Sequence, residues 1–397
     1  MNSSPSPQPR LYLKPARARS VLRFHPWIFS GAVARIDGSS APGEVIDVLA
    51  ADNKFLGRGF YNPNSQIVCR MLTWQDEPID QAFFENKIRA AYQLRQRLVA
   101  QSTDSFRVVN AEGDGLPGLI VDKYSDFLVV QISALGMSRR SQDLITSLQN
   151  VLQPRGIFER SIGGALQEEG LKPVVRVLDG AEPPEHIQVH ENDLRFNVNV
   201  KEGQKTGFFL DQRENRRWIA YFCRGRNVLN GFCYTGAFSV YAGAAGAQRV
   251  VSVDSSSAAM QIAKQNFSLN GLPIVPEDFV TADLFHFLRS TTQKFDLIIL
   301  DPPAFAHRQK DVENAARAYK DVNLQALKIL SPGGLLFTCS CSQPISPDLF
   351  QKILFGAAVD AKRNVRILGR SDHAPDHPIN IYHPEGRYLQ TFLLQVE

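Results

Sequence analysis

Val228-Leu229-Asn230-Gly231-Phe232-Cys233-Tyr234-Thr235-Gly236-Ala237-Phe238 is the stretch on which the fold of this chain turns. An apolar run enters a loop carrying Gly231 and Gly236 and leaves it into a helix of small residues. Glycine there lets the backbone turn tightly and approach a ligand closely. The loop is not a G-x-G-x-x-G, so alone it reads more readily as an ordinary strand–helix turn than as a cofactor loop. Three acids downstream decide between the two. Val250-Val251-Ser252-Val253-Asp254 ends a second strand on a carboxylate about 20 residues further on, suited to ribose hydroxyls. Thr281-Ala282-Asp283 ends a third on an acid suited to an adenine amino group. Phe295–Leu300 delivers Asp301-Pro302-Pro303 at the tip of a buried strand. Any one of these acids could be a helix N-cap. Three at successive strand ends, in register with a glycine loop, point to a nucleoside-bearing cofactor, because open α/β sheets bind ligands outside the carboxyl ends of their strands.

Outward from this stretch, β and α segments alternate from about Asp193 to Thr338, which implies a mostly parallel, Rossmann-like sheet with helices on both faces. A dinucleotide reductase shares the arrangement but needs a tighter glycine fingerprint for pyrophosphate, and it has no role for Asp301-Pro302-Pro303. The residues therefore read as a site for S-adenosylmethionine in a methyltransferase. Its candidate contacts are Asn230, Phe232, Thr235, Gly236, Asp254, Asp283 and Asp301.

Two further segments precede this one. Residues 11–75 show five short strands separated by turn signals such as Asp37-Gly38 and Pro42-Gly43, the pattern of a small barrel, with a brief basic helix over Arg17–Phe24. Residues 76–187 read as an α+β domain ending near Pro183-Pro184, with residues 188–397 forming the cofactor domain. Its first helix, Ala82–Ala100, is expected to bury Phe83, Ile88, Ala91, Leu94 and Leu98 and to carry Lys87, Arg89, Arg95 and Arg97 around the other side. Residues 1–75 hold nine Lys/Arg against four acids, and so carry the positive excess of a chain whose net charge is +4. A basic module on a near-neutral body suits an enzyme acting on a polyanion.

Composition narrows the setting. Hydrophobic residues make up 44% and charged residues 21%, as in globular proteins with packed cores. No apolar run approaches the ~18 residues of a membrane span. The start, MNSSPSPQPR, lacks an apolar signal-peptide region and reads as a short disordered lead-in. The five cysteines are odd in number and show no C-x-x-C spacing, so neither a disulfide framework nor a metal site is expected, and a reducing, cytoplasmic setting is the simplest reading.

The strand after Gly333-Gly334 carries Cys339 and Cys341 toward the cofactor. Carbon 5 of a pyrimidine is not nucleophilic enough to take a methyl group unaided. A thiolate adding to carbon 6 makes it so, and is expelled once the carbon 5 proton leaves. Cys341, where the strand leaves the sheet, is the better-exposed candidate; both cysteines could equally be small buried hydrophobes. Asp301-Pro302-Pro303-Ala304-Phe305 also permits chemistry on an exocyclic amine.

With these residues assembled, the chain resembles the bacterial 23S ribosomal RNA cytosine-5 methyltransferases that carry an N-terminal PUA domain. The resemblance runs through His25–Val33, Asp114–Gly118, Lys205–Arg213, Asn230–Phe238, Asp301–Pro303, Tyr319–Asp321, Ser340–Ser342 and Tyr382–Tyr388, nearly the full length. It implies a PUA barrel, a central α+β domain and a Rossmann-like methyltransferase domain. It places the nucleophile at Cys341, seven residues after Gly334, with Asp301 orienting the cytosine, and adds Asp211 and Gln212 to the cofactor pocket. Relatives often have Lys where this chain has Ala304. A second cysteine used for product release in many RNA cytosine-5 methyltransferases has no counterpart after Pro303. The partner so implied is large-subunit ribosomal RNA, with contacts expected at Arg17, Arg19, Arg23 and on the helix bearing Arg89, Arg95 and Arg97; a homodimer is compatible with the sequence. Methylation of a base nitrogen, with structural cysteines, and an RNA-binding factor without catalysis remain alternatives.

Overall fold

The structure, a computed structural model, describes residues 8–397; the first seven residues of the expected lead-in lie outside them. The chain forms two compact units. The first comprises the residues up to Ile187 together with Val198–Phe209 and Pro375–Gly386, the second Gln188–Asn197, Leu210–Ala374 and Arg387–Glu397.

In the first unit, β1 (Arg10–Leu13), β2 (Trp27–Phe29), β3 (Val33–Asp37), β4 (Val45–Leu49), β5 (Phe55–Tyr61) and β6 (Ile67–Thr73) make a six-stranded sheet in the order β2-β6-β5-β4-β1-β3. Leu11, Leu13, Ile28, Ile46, Val48, Val68 and Met71 fill its interior. A second sheet, ordered β11-β10-β9-β8-β7, is built from β7 (Ser105–Asn110), β8 (Leu119–Tyr124), β9 (Phe127–Ile132), β10 (Gly156–Ser161) and β11 (Val174–Gly180). The helices Gln81–Leu98 and Ser141–Leu152 supply Phe83, Phe84, Ile88, Leu144 and Leu148 to its core.

The buried stripe of Gln81–Leu98 departs from the sequence expectation. Leu94 and Leu98 are 41% and 49% exposed, whereas Arg95 is fully buried. Its guanidinium donates to both carboxylate oxygens of Asp114 at 2.5 and 2.7 Å, to Arg107 O at 2.9 Å and to Asp376 O at 3.0 Å. A fully hydrogen-bonded, bidentate arginine can replace an apolar residue in a core. Arg95 is thereby excluded as an RNA contact. Arg89 is exposed on the same helix and pairs with Glu85 at 2.6 Å.

In the second unit, β12 (Ile187–Glu191) and β13 (Leu194–Val198) form a two-stranded ribbon whose turn residues, Asn192 and Asp193, are both left-handed, as a tight hairpin requires. The main sheet runs β16-β15-β14-β17-β18-β20-β19, from β14 (Asn227–Gly231), β15 (Arg249–Asp254), β16 (Phe279–Thr281), β17 (Phe295–Leu300), β18 (Leu330–Ser340), β19 (Val365–Ser371) and β20 (Gln390–Val396). The first five strands in this order are mutually parallel, and β20 lies antiparallel between β18 and β19. β14, β15, β17 and β18 are buried, β-branched or leucine-rich runs, as strands covered on both faces must be. The alternation read from the sequence ends at Thr338; beyond it the helix Pro347–Ala361 follows, and β19 and β20 complete the sheet. Among the described residues no helix is long and apolar enough to cross a membrane.

Candidate cofactor and catalytic site

Register brings the strand tips together. Gly231 lies opposite Val253 on one side and Leu300 on the other, and Leu300 lies opposite Thr338. The residues that follow, Phe232–Gly236, Asp254, Asp301 and Cys341, therefore share one edge of the sheet. The switch in strand order falls between β14 and β17, where open α/β sheets form their ligand crevice.

The loop after β14 is wound tightly. Phe232, Tyr234 and Gly236 have φ of 58°, 49° and 76°. At Gly236 the constraint is also steric, since a Cβ would sit 2.9 Å from the Cβ of Ala263. For Phe232 and Tyr234 the left-handed backbone costs ~1–2 kcal/mol each. The loop is held by Cys233 N donating to Val253 O and by Tyr234 N donating to Asp254 Oδ2 at 2.8 Å. Asp254 Oδ1 accepts from Ser256 N at 2.9 Å. Each carboxylate oxygen keeps a second lone pair, so Asp254 can staple the loop and still accept ribose hydroxyls. Asn230 Nδ2 donates to Ser239 Oγ, itself 2.8 Å from Ser252 Oγ. Asn230 Oδ1 and Thr235 Oγ1 are buried polar atoms without a partner, a pair of unmet hydrogen-bonding groups that suits a polar cofactor. Asp283 is the N-cap of the helix Leu284–Ser290, accepting from His286 N at 2.9 Å; its side chain is exposed at the edge beyond β16.

Asp211 and Gln212, known from the sequence only through the family resemblance, occupy a turn leading into the helix Arg213–Ala220. That helix is pinned by Arg216, which donates twice to Glu191 at 2.7 Å. Asp211 Oδ2 accepts from the Tyr388 hydroxyl at 2.6 Å, and its carbonyl accepts from Ala374 N. Gln212 is buried; its Nε2 donates to Asp301 Oδ1 at 2.8 Å while its Oε1 accepts from Asn215 at 2.6 Å. Gln212 thus orients Asp301, a connection that nothing in the spacing of residues 212 and 301 announces.

The cysteines separate by environment. Burial pushes the thiols of Cys69 and Cys223 up to about 12 and those of Cys233 and Cys339 well above their ordinary range; Asp254 adds to the effect at Cys233 and Asp301 at Cys339. All four are buried, and Cys341 is half-exposed. Its position is one residue past β18, with Sγ 3.5 Å from Pro302 O. Cys339 instead contacts Thr391 Oγ1 on β20 at 3.3 Å. The segment after Cys341 is fixed by Ser342, whose Oγ accepts from Ala306 N at 3.0 Å and lies 2.9 Å from the Tyr319 hydroxyl. Burial, reinforced by the nearby Cys341, pushes Tyr319 up to about 12, so its phenol stays neutral. Phe232, Phe285 and Phe305 form an aromatic cluster beside the Asp301 loop, with ring centroids 6.1–6.4 Å apart. Of the expected RNA contacts, Arg17, Arg19 and Arg23 are exposed on the first unit.

Comparisons with known proteins bear on the family and the fold. Residues 172–380 match the model of an S-adenosylmethionine-dependent methyltransferase family, and residues 11–74 match a PUA-like domain. The ribosomal RNA large subunit methyltransferase I of Erwinia tasmaniensis is 43% identical over 98% of this chain and 99% of its own length, and that of Yersinia pestis 42% over the same shares. A solved Streptococcus mutans chain, provisionally described as a SAM-dependent methyltransferase, superposes with a TM-score of 0.83 at 23% identity, covering 97% of this chain and 99% of that one. Another, solved in complex with SAH, superposes at 0.81 with the same identity and coverage. At that identity the two structures bear on the fold alone. The full-length identity and the two matched domains show the family: this chain belongs to the ribosomal RNA large subunit methyltransferase I family, S-adenosylmethionine-dependent methyltransferases with an N-terminal PUA-like domain.

Proposed function

We propose that this protein methylates carbon 5 of a cytosine in 23S ribosomal RNA through a transient covalent bond to Cys341. The observation that carries the reading is the position of the one half-exposed thiol, at a strand tip beside the Asp301 loop, among four buried ones. Relatives named for large-subunit ribosomal RNA support the substrate class, and a cytoplasmic setting follows from it.

Asn230, Phe232, Thr235, Gly236, Asp254 and Asp283 would hold the cofactor, with Asp211 and Gln212 closing the pocket. S-adenosylmethionine, when bound, supplies an electrophilic methyl group. The Cys341 thiolate adds to carbon 6 of the ring, and the electron pair of the 5,6 double bond becomes nucleophilic at carbon 5. After methyl transfer a water molecule takes the carbon 5 proton, the C5–H electron pair re-forms the double bond and the S–C6 bond breaks, returning the thiolate. Asp301, oriented by Gln212, would accept from the amino group of the cytosine and, when protonated, donate to its ring nitrogen. The rings of Phe305 and Phe232 line the approach, where an aromatic wall can stack a flipped base. Arg17, Arg19, Arg23 and Arg89 would contact phosphates.

Cys341→Ala should abolish methyl transfer while retaining cofactor binding by calorimetry. Nucleoside mass spectrometry of ribosomal RNA from a strain lacking the gene should show loss of one 5-methylcytidine. Full activity of Cys341→Ala, or loss of an N-methylated base instead, would sink the covalent mechanism.

A further inference from the structure

The first unit carries an aromatic feature that the methyl-transfer site does not use. Phe24 follows the basic turn Arg19–Leu22 and adopts a left-handed backbone, φ 64°, at a cost that a glycine or asparagine would not incur. Its ring is nevertheless 45% exposed. It stands 5.7 Å from the Trp74 ring and 5.2 Å from that of Tyr382, itself 49% exposed. Tyr382 comes from a segment some 360 residues away in sequence, and that segment is firmly seated. His383 packs edge-on to Trp27 at 4.4 Å, Glu385 meets His25 at 3.4 Å, and Asn380 caps Tyr382 N at 2.9 Å.

The segment that carries Phe24 is cationic, and Glu385 on the segment of Tyr382 is paired with His25. No acid occurs before Asp37, and Arg17, Arg19 and Arg23 are exposed with no ion-pair partner among the described residues. Two exposed, rigidly mounted rings beside unneutralised arginines match the chemistry of unpaired nucleotides, whose bases stack on aromatic faces while their phosphates meet the cations. A duplex hides its base faces and would meet only the arginines.

We infer that Phe24 and Tyr382 form a stacking platform for an unpaired nucleotide of the RNA, so that the N-terminal module selects single-stranded over duplex segments. This rests on the RNA reading above but not on the chemistry at Cys341.

The test uses the full-length protein and fluorescence anisotropy with a labelled single-stranded oligoribonucleotide and its duplex, over a salt series. Phe24→Asn keeps the left-handed backbone and removes the ring, and Tyr382→Leu keeps the apolar volume and removes the aromatic face. Each should weaken single-strand binding about 5- to 150-fold. The slope of log affinity against log salt should stay unchanged, as should duplex binding and S-adenosylmethionine affinity. Replacing Arg17, Arg19 and Arg23 by Gln should instead flatten the slope by about 0.7 per lost phosphate contact. Unchanged single-strand affinity in both ring variants, or equal losses on duplex, would overturn the platform while leaving the RNA reading in place. A loss confined to ribosomal particles, with protein-free RNA bound normally, would overturn it in favour of a protein partner. Failure of the wild-type chain to bind any RNA would remove the RNA reading itself.

Discussion

Replacing Gln212 by Leu removes the hydrogen bond that orients Asp301. The side chain is buried, and its Nε2 lies 2.8 Å from Asp301 Oδ1. Leucine fills a similar volume without a donor. The neighbour that loses an acceptor, Asn215, also reaches Thr391 Oγ1 at 3.2 Å and Asp372 O at 3.4 Å, so its amide is not stranded. A hydrogen bond to a charged group contributes ~1.5–3 kcal/mol. If Asp301 must be held for the cytosine to be aligned in the transition state, the rate should fall by about 10- to 150-fold. Single-turnover transfer of a labelled methyl group to RNA at saturating S-adenosylmethionine measures this directly, with calorimetry measuring any separate loss of cofactor affinity and a thermal melt checking the fold. Gln212→Glu sharpens the test. A second carboxylate beside Asp301 would raise the pKa of the pair, so the acidic limb of the pH–rate profile should move to higher pH, which a purely structural defect would not produce. A Gln212→Leu enzyme within about twofold of wild type would refute the assignment of Asp301 as a group that depends on Gln212 for its orientation.

Other consequences are as direct. Brief iodoacetamide treatment of the native protein should alkylate Cys341 and spare the four buried thiols, read by peptide mass mapping; modification of Cys339 first would contradict the burial argument. Arg95→Leu leaves the Asp114 carboxylate buried without its partner and should cost about 3–5 kcal/mol, lowering the melting transition of the first unit while cofactor binding in the second persists. Gly236→Ala must place a Cβ 2.9 Å from Ala263 at φ 76°, and should weaken S-adenosylmethionine binding as the loop shifts; unchanged affinity would show that the loop does not contact it. Acid stability should depend on Asp122. Burial opposes its ionisation, but Arg107, His377 and Thr206 outweigh that and hold it below 3.8. Its contribution is therefore complete above about pH 3.8 and is lost as the pH falls through the lower folded value. Asp122→Asn should flatten this part of an acid-unfolding curve.

The parallel core of the second unit was legible because its strands are short apolar runs ending on Gly231, Asp254 and Leu300, and period and punctuation alone place such runs. The antiparallel pair β19 and β20 was not. Val365–Ser371 forms the exposed edge, where pairing with one neighbour relaxes the demand for an apolar pattern. The helix Gln81–Leu98 shows a different failure. Periodicity found a real helix but assigned its stripe by hydrophobicity, and the fold buried Arg95 in place of Leu98 because Asp114 and two carbonyls surround its guanidinium. At the site, the chemistry-bearing residues could be named from the sequence, but not what holds them. The bonds Gln212–Asp301, Tyr388–Asp211 and Tyr319–Ser342 join distant segments, and the left-handed Phe232 and Tyr234 are not glycines. Strain of that kind is visible only in coordinates.

Three aspartates at three strand tips have different duties, and the residues just after each explain why. Asp283 is followed at once by a helix, so its carboxylate caps His286 N. Asp254 is followed by a bend and then by Ser256, which caps the next helix in its place; the Asp254 carboxylate turns instead to Tyr234 N and Ser256 N and ties two loops together. Asp301 is followed by Pro302 and Pro303. Neither has an N–H to donate, and no helix begins there, the next turn starting at Gln309. With no helix starting beside it, Asp301 does not take up the N-capping role usual for an aspartate at a strand–helix junction. Its carboxylate accepts from a side chain of another element, Gln212, at the loop where Cys341 meets Pro302. The orientation of this carboxylate thus comes from a side chain of a distant segment, and a carboxylate so oriented would be placed to accept from the amino group of a cytosine.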